Sequence, residues 1–508
     1  MSDAFATLTN GQALPLSELP LLPLEAFQRV ILHAVDERQR VSALFGAASP
    51  VSGETRLYAV LADDEQNLLS AAATDVASND FPSLTPRCPQ VHLFEREIAE
   101  QFGLRPVGHP WFKPVRYCRS WTGRDAWGRR PNDPIPPAAG NDFYRVEGEE
   151  VHEVAVGPVH AGVIEPGHFR FQCGGERVFH LEIALGYQHR GVEEALIGGP
   201  AARTTAYAET LAGDSTVAHA TAYSQIVEAL ADGQPSARAF AVRGIALELE
   251  RLANHIGDIG ALSGDVGFLP TASFCGRIRG DFLNMTALLC GNRFGRGLVR
   301  PGGIGFDLDA DRASELGRRL AAGEKDAAVA IELLWNTQSA MARFEEVGPL
   351  PRAVAAELGI VGPAARASGL ERDVRRDQPS GIFCFAHIPL SVCESGDVFA
   401  RAYMRWLEIQ QSINFIRDQL NALPSGTPCK PVKTLAPNSL VVALDEGWRG
   451  EVCHVALTDA DGRFARYKVV DPSFHNWSGL AYALRNQEIS DFPICNKSFN
   501  LSYCGHDL

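Results

Sequence analysis

Ile245-Ala-Leu-Glu-Leu-Glu-Arg-Leu-Ala-Asn-His-Ile-Gly-Asp-Ile259 is the stretch on which the reading of the fold turns. Ile245, Leu249, Leu252, Ile256 and Ile259 recur every three or four residues, which is the period of a helix with one apolar face. The pattern predicts a helix over 238–262. Glu250 and Arg251 lie on the same helix, where charge beside an apolar stripe predicts buried or rim ion pairs that brace it. Segments 313–346 and 396–422 repeat the periodicity, so the middle of the chain reads as a helical bundle.

Towards the N-terminus the texture changes. Val163 to Leu185 alternates in a way that predicts a hairpin, with Gly174-Gly175 as its turn. Residues 118–150 are rich in Gly, Pro, Arg and Asp, a composition suited to an extended connector rather than a core. Ahead of them, Arg56-Leu-Tyr-Ala-Val-Leu-Ala62 suits a strand. Phe94, Ile98 and Phe102 share one helical face, and Gly103 follows as a helix C-cap. The last seventy residues read as short strands and turns. The expectation is an α+β protein: a small α/β domain (1–117), a Pro/Gly-rich link (118–150), and a mainly helical-bundle domain (151–508) with short β elements at both ends.

Composition narrows the function. With 508 residues, 45% hydrophobic and 21% charged, the chain can bury a large core. A net charge of −14 argues against nucleic acid as a partner. No apolar run reaches the length of about 18 residues that a membrane span needs, and the start has no secretory pattern. The eleven cysteines include no C-x-x-C pair. Such scattered thiols read as small buried hydrophobes, so no iron–sulfur cluster is expected in this chain.

Several strings resemble one family in order and spacing. Phe94-Glu-Arg-Glu-Ile-Ala-Glu-Gln-Phe-Gly-Leu-Arg-Pro-Val-Gly-His-Pro110 is similar to the signature of complex I's small accessory subunit. Gly157-Pro-Val-His160, Gly186-Tyr-Gln-His-Arg-Gly-Val-Glu193 and Glu250-Arg-Leu-Ala-Asn-His255 resemble signatures of the large subunit shared by complex I and energy-converting [NiFe] hydrogenases. The hydrogenases hold nickel and iron with two motifs, R-x-C-G-x-C-x-x-x-H and D-P-C-x-x-C. Glu209-Thr-Leu-Ala-Gly-Asp-Ser-Thr-Val-Ala-His219 resembles the first, with Ala212 and Ser215 at the cysteine positions and Thr210 where hydrogenases have arginine. Ser498-Phe-Asn-Leu-Ser-Tyr-Cys-Gly-His-Asp-Leu508 resembles the second, with Ser502 and Gly505 at the cysteine positions. Soft redox metals need thiolates, so the resemblance implies a branch that kept the frame and lost the metal. Arg449 resembles the arginine beside the metal site, and could salt-bridge within the emptied space.

The resemblance also implies a hydrogenase-like large-subunit fold and a quinone-headgroup cavity in the metal's place, with His168 and Tyr207 at the headgroup and Asp265 supporting the histidine. A phenol and an imidazole can each donate a hydrogen bond and then a proton to a quinone. His160 and His189 read as structural. The implied function is that of an electron-transfer subunit of a membrane-bound, complex I-like NADH–quinone oxidoreductase complex. It would bind no cofactor itself and lie peripherally on the cytoplasmic side of the membrane. The implied partners are an iron–sulfur subunit resembling complex I's terminal-cluster subunit, a ferredoxin-like subunit and antiporter-like membrane subunits, with clusters in the partners. Two alternatives stand beside it: a metal-free scaffold of an ion-pumping complex, and a working hydrogenase, which the missing thiolates oppose.

Overall fold

The computed structural model describes residues 4–49, 54–130, 132–136 and 142–508. Part of the 118–150 link, residues 131 and 137–141, lies outside the described residues. The fold mixes helix and antiparallel sheet, in the α+β manner expected. The stripe of 245–259 lies on a helix spanning Ala237–Asp265, three residues longer at its C-terminal end than its pattern indicates. Ser236 starts it, its side chain accepting from the Ala239 N–H. The periodic segments after it form helices Ala310–Trp335 and Val398–Asn421. Their apolar faces and that of Leu269–Cys290 make one large core with the long helix.

Two further expectations hold in detail. Thr55–Asp63 is a strand, in a sheet ordered Ala6–Leu8, Leu68–Val76, Thr55–Asp63, Arg40–Ala48. Helix His92–Phe102 packs on that sheet and ends at Gly103, whose φ of 70° is left-handed. The hairpin forms from His168–Gly174 and Arg177–Ala184, but its turn sits one residue later than expected. Gly174 stays in the strand opposite Arg177, and Gly175, at φ +60°, takes the turn. Val151–Val156 adds a third strand at its edge.

The C-terminal region departs from its reading. Ser439–Gly447, Gly450–Thr458 and Phe464–Val470 are indeed strands, but helices Pro472–Ala483, Phe492–Phe499 and Tyr503–Asp507 follow them. The strand Ala13–Pro15 pairs with Ser439–Val441, so the N-terminal unit and the chain's last quarter share a sheet. That sheet is a wall between two cores. Leu440, Val442 and Leu444 face the N-terminal core, while Val441 and Ala443 face the helical core. The two-residue period of a strand sends alternate side chains to opposite faces, and here both faces are dry.

Candidate functional site

The two degenerate stretches meet, and the short strings that surround them do the joining. Residues 209–215 form an irregular turn between helices Thr204–Ala208 and Thr216–Leu230. Glu250 reaches from the long helix and accepts from the Val217 (2.6 Å) and Ala218 (3.3 Å) amides at the start of the second of these helices. Asn254, one turn on, donates to the Asp214 carbonyl at 3.0 Å. Arg190 donates to the carbonyls of Thr210 and Leu211, both at 2.8 Å. The same 186–193 string holds the chain end: the Gly186 and Gln188 amides donate to the Asp507 carboxylate at 2.8 and 2.9 Å. His189 bonds the Asp507 carbonyl at 2.8 Å.

Arg449 closes the join. Its Nε donates to the Asn500 carbonyl at 2.6 Å and its Nη1 to the Gly213 carbonyl at 2.8 Å and to Ser215 Oγ at 3.4 Å. Its expected salt bridge is thus replaced by neutral acceptors from both stretches. Among the described residues, Arg251 forms ion pairs and Glu250 does not: Arg251 meets Glu408 and lies 3.3 Å from Glu248, all buried. Burial pushes the Glu250 carboxyl up to about 8 despite the two amides.

His168, Tyr207 and Asp265 lie on three segments around this junction. His168 opens the hairpin strand, 5% exposed, with Nδ1 3.4 Å from the Gly157 carbonyl and its buried Nε2 without a partner among the described residues. Burial holds its pKa below the usual value, so the ring is neutral at pH 7. The neighbouring Glu165 accepts from the Tyr503 amide at 3.3 Å, which sets the hairpin's start against the chain end. Asp265 ends the long helix; burial raises its carboxyl, with Lys497 acting in opposition. Lys497 in turn donates to Asn500 Oδ1 at 3.3 Å, beside Arg449's contact. Tyr207 lies half-buried on Thr204–Ala208, just ahead of the first stretch. Among the described residues, no hydrogen bond or ring contact joins any two of the three side chains. His160 bonds the Gly167 carbonyl at 2.9 Å, a structural role.

The comparisons agree with these strings. A family model described as "Respiratory-chain NADH dehydrogenase, 49 Kd subunit" matches residues 265–438, and one described as "30 Kd subunit" matches 24–127. The chain is 32% identical over 374 residues to an NADH-quinone oxidoreductase subunit of Chloroherpeton thalassium, covering 68% of this chain and 85% of that one. The chain belongs to the complex I 49-kDa and hydrogenase large-subunit family. The Carbon monoxide-induced hydrogenase of Rhodospirillum rubrum is 30% identical over 69% of this chain and 97% of its own. Formate hydrogenlyase subunit 5 of Escherichia coli is 29% identical over 91% of this chain and 84% of its own. The chain thus carries a 30-kDa-type segment ahead of a 49-kDa-type one.

The residues do not fit a nickel–iron centre. Ala212 is buried and offers no donor atom. Ser215 is bonded to Arg449. Ser502 Oγ accepts from the Gly505 amide at 2.9 Å and starts the last helix. A side chain at Gly505 would meet the Asp471 carboxyl at 2.6 Å, so that ligand position is closed. Cys504, the remaining thiol, is held up to about 11 by burial.

Behind this junction runs a buried polar chain that sequence reading missed. His219 Nε2 lies 3.0 Å from Asp471 Oδ2, and its Nδ1 lies 3.0 Å from His454 Nε2. His454 Nδ1 lies 2.8 Å from the Tyr467 hydroxyl. Asp471 is held below its usual value by His219 in spite of burial, so it is ionised. One assignment of protons satisfies every atom: Tyr467 donates to His454, His454 to His219, and His219 to the carboxylate. Asp471-Pro472 is legible as a helix start, and Asp471 accepts from the Ser473 amide. Its pairing with His219, 252 positions away, is not legible.

Proposed function

We propose that this chain is the electron-transfer subunit of a membrane-bound, complex I-like oxidoreductase complex, and that it handles a quinone headgroup at the face carrying His168. The observation that carries this reading is the buried Nε2 of His168, without a partner among the described residues. A buried imidazole nitrogen left open costs stability; with Nδ1–H directed at the Gly157 carbonyl, Nε2 of the neutral ring is an acceptor, and the hydroxyl of a reduced quinone would satisfy it. Protonation of a reduced quinone needs a proton source behind the headgroup. The ordered Tyr467–His454–His219–Asp471 chain is a suitable store at the adjoining junction. Tyr207 and Asp265, on segments bordering the junction, are the further headgroup candidates.

Electrons would reach the quinone from iron–sulfur clusters in a partner resembling complex I's terminal-cluster subunit, served by a ferredoxin-like subunit. Antiporter-like subunits would supply the membrane part. Among the described residues no helix is long and apolar enough to cross a membrane, and the reading places the chain peripherally, on the cytoplasmic side. A second reading, a metal-free scaffold of an ion-pumping complex, is favoured by the closure of Gly505 against Asp471.

The intact complex distinguishes them. Its clusters are reduced with dithionite without oxygen, and their reoxidation by a short-chain quinone is followed optically. His168→Met should slow reoxidation about tenfold or more in a complex that still assembles, and Tyr207→Phe should slow it less. Unchanged rates in both assembled variants overturn the quinone reading and leave the scaffold.

A further inference from the structure

A cavity of about 620 Å³ lies between helix His92–Phe102, segment 109–117, strand Arg177–Ala184 and helix Pro472–Ala483. It lies where the 30-kDa-type segment meets the hairpin and the C-terminal helices, and its volume is that of a site for one small organic molecule. Pro89, Leu93, Trp111, Leu181, Ile183 and Ala481 give it an apolar wall.

Two polar groups in that wall lack what burial normally requires. Arg96 is 5% exposed. Its Nε and Nη2 donate to the carbonyls of Lys113 (2.7 Å) and Pro114 (2.8 Å), and its guanidinium lies 4.5 Å from the Trp111 ring centre. Among the described residues it forms no ion pair, and its Nη1 has no acceptor. Burial lowers its pKa to about 10, which leaves it charged at pH 7. Trp477 is 4% exposed, and its buried Nε1 has no partner among the described residues. A buried cation left open is unfavourable, so Arg96 asks for an anionic acceptor.

The remaining wall groups leave the positive charge standing. Lys113 is neutralised by Glu182 at 2.6 Å. Burial lowers His92 to about 3 and His109 to about 4, and it also lowers His180 and His506, so all four rings are neutral at pH 7. Arg485 stands exposed at the edge, beside the Tyr482 ring and without an ion pair among the described residues.

We propose that this cavity binds an amphipathic carboxylate. The carboxylate would lie at Arg96, and the apolar body would fill the space along the apolar wall. The proposal does not depend on quinone chemistry.

The test is calorimetric titration of the purified full chain with decanoate, decanol and acetate. Decanoate should bind at one site, and decanol and acetate at least tenfold more weakly. Arg96→Gln should weaken decanoate about tenfold or more. Arg96 also braces segment 113–114, so Ala481→Trp provides an independent arm: it fills the cavity, leaves the charge in place, and should abolish binding in a chain whose melting is unchanged. Equal affinity for acetate or decanol overturns the proposal, as does decanoate binding unaffected by Ala481→Trp. Loss of binding on assembly into the intact complex would assign the space to a partner subunit and overturn it as well.

Discussion

Replacing Arg449 with Met should release the chain end locally while the fold stands. The methionine retains much of the stem that packs by Trp448, whose ring centre lies 3.9 Å from the guanidinium carbon. It loses the two short bonds to Asn500 and Gly213 and the longer one to Ser215. A hydrogen bond to a charged group contributes about 1.5–3 kcal/mol. Of these bonds, only the one to Asn500 is broken when residues 500–508 open; at the lower figure its loss makes opening easier by about 1.5 kcal/mol. That is about tenfold in the opening equilibrium. Amide hydrogen exchange reads this directly. The Gly505 amide, held by Ser502 Oγ, and the His506 amide, held by the Ser502 carbonyl, should lose protection by about tenfold. Amides of strand Thr55–Asp63, in the other core, should not change. Unaltered protection at Gly505 and His506 would mean that the other contacts of the chain end, among them the Asp507 clasp and the Arg116 bond to the His506 carbonyl, hold it without Arg449, and would refute the role assigned to Arg449.

Gly505→Cys, which restores a thiol at a lost ligand position, should destabilise the protein by about 1–3 kcal/mol through overpacking against Asp471, and should bring in no nickel by elemental analysis. Glu250→Gln tests the raised carboxyl. Its pKa is about 4.5 unfolded and about 8 folded, so the folded state holds the extra proton between those values and wild-type stability falls as pH rises through that window. The variant cannot titrate, so its melting temperature relative to wild type should climb from pH 5 to pH 8.5; a flat or falling difference would contradict the burial argument. Limited proteolysis should nick the Pro/Gly-rich 118–150 segment, yet the fragments should co-elute on gel filtration, because strand Ala13–Pro15 pairs with Ser439–Val441 and the wall's alternate residues fill the N-terminal core. Separation of the fragments without denaturant would show that shared core to be dispensable.

The elements that sequence reading located are those with local causes. The long helix follows from a stripe that repeats within one turn, and the end of helix His92–Phe102 from a glycine free to take a positive φ. The hairpin turn slipped by one residue because either glycine of the Gly174-Gly175 pair could take the left-handed position, and strand register chose the second. Helix Pro472–Ala483 escapes the reading because its surroundings bury several faces, which erases the amphipathic pattern, and Phe492–Phe499, buried on the one face of Ile494, Cys495, Ser498 and Phe499, is too short for that face to repeat.

What the sequence determined by itself is chemistry at fixed positions: no thiolates at 212, 215, 502 and 505, and strings that mark the family. Only tertiary structure decided their partners. Glu250 and Arg251 are adjacent in sequence, yet one caps a helix through backbone amides and the other pairs with Glu408 on another helix. Asp471 meets His219 across 252 residues and closes the space at Gly505. The strands Ser439–Gly447 and Gly450–Thr458 read as apolar runs, but which face serves which core depends on what packs there. Local propensity is set by neighbours along the chain, whereas burial, pairing and pKa are set by neighbours in space, and those exist only once the two cores have closed on their common wall.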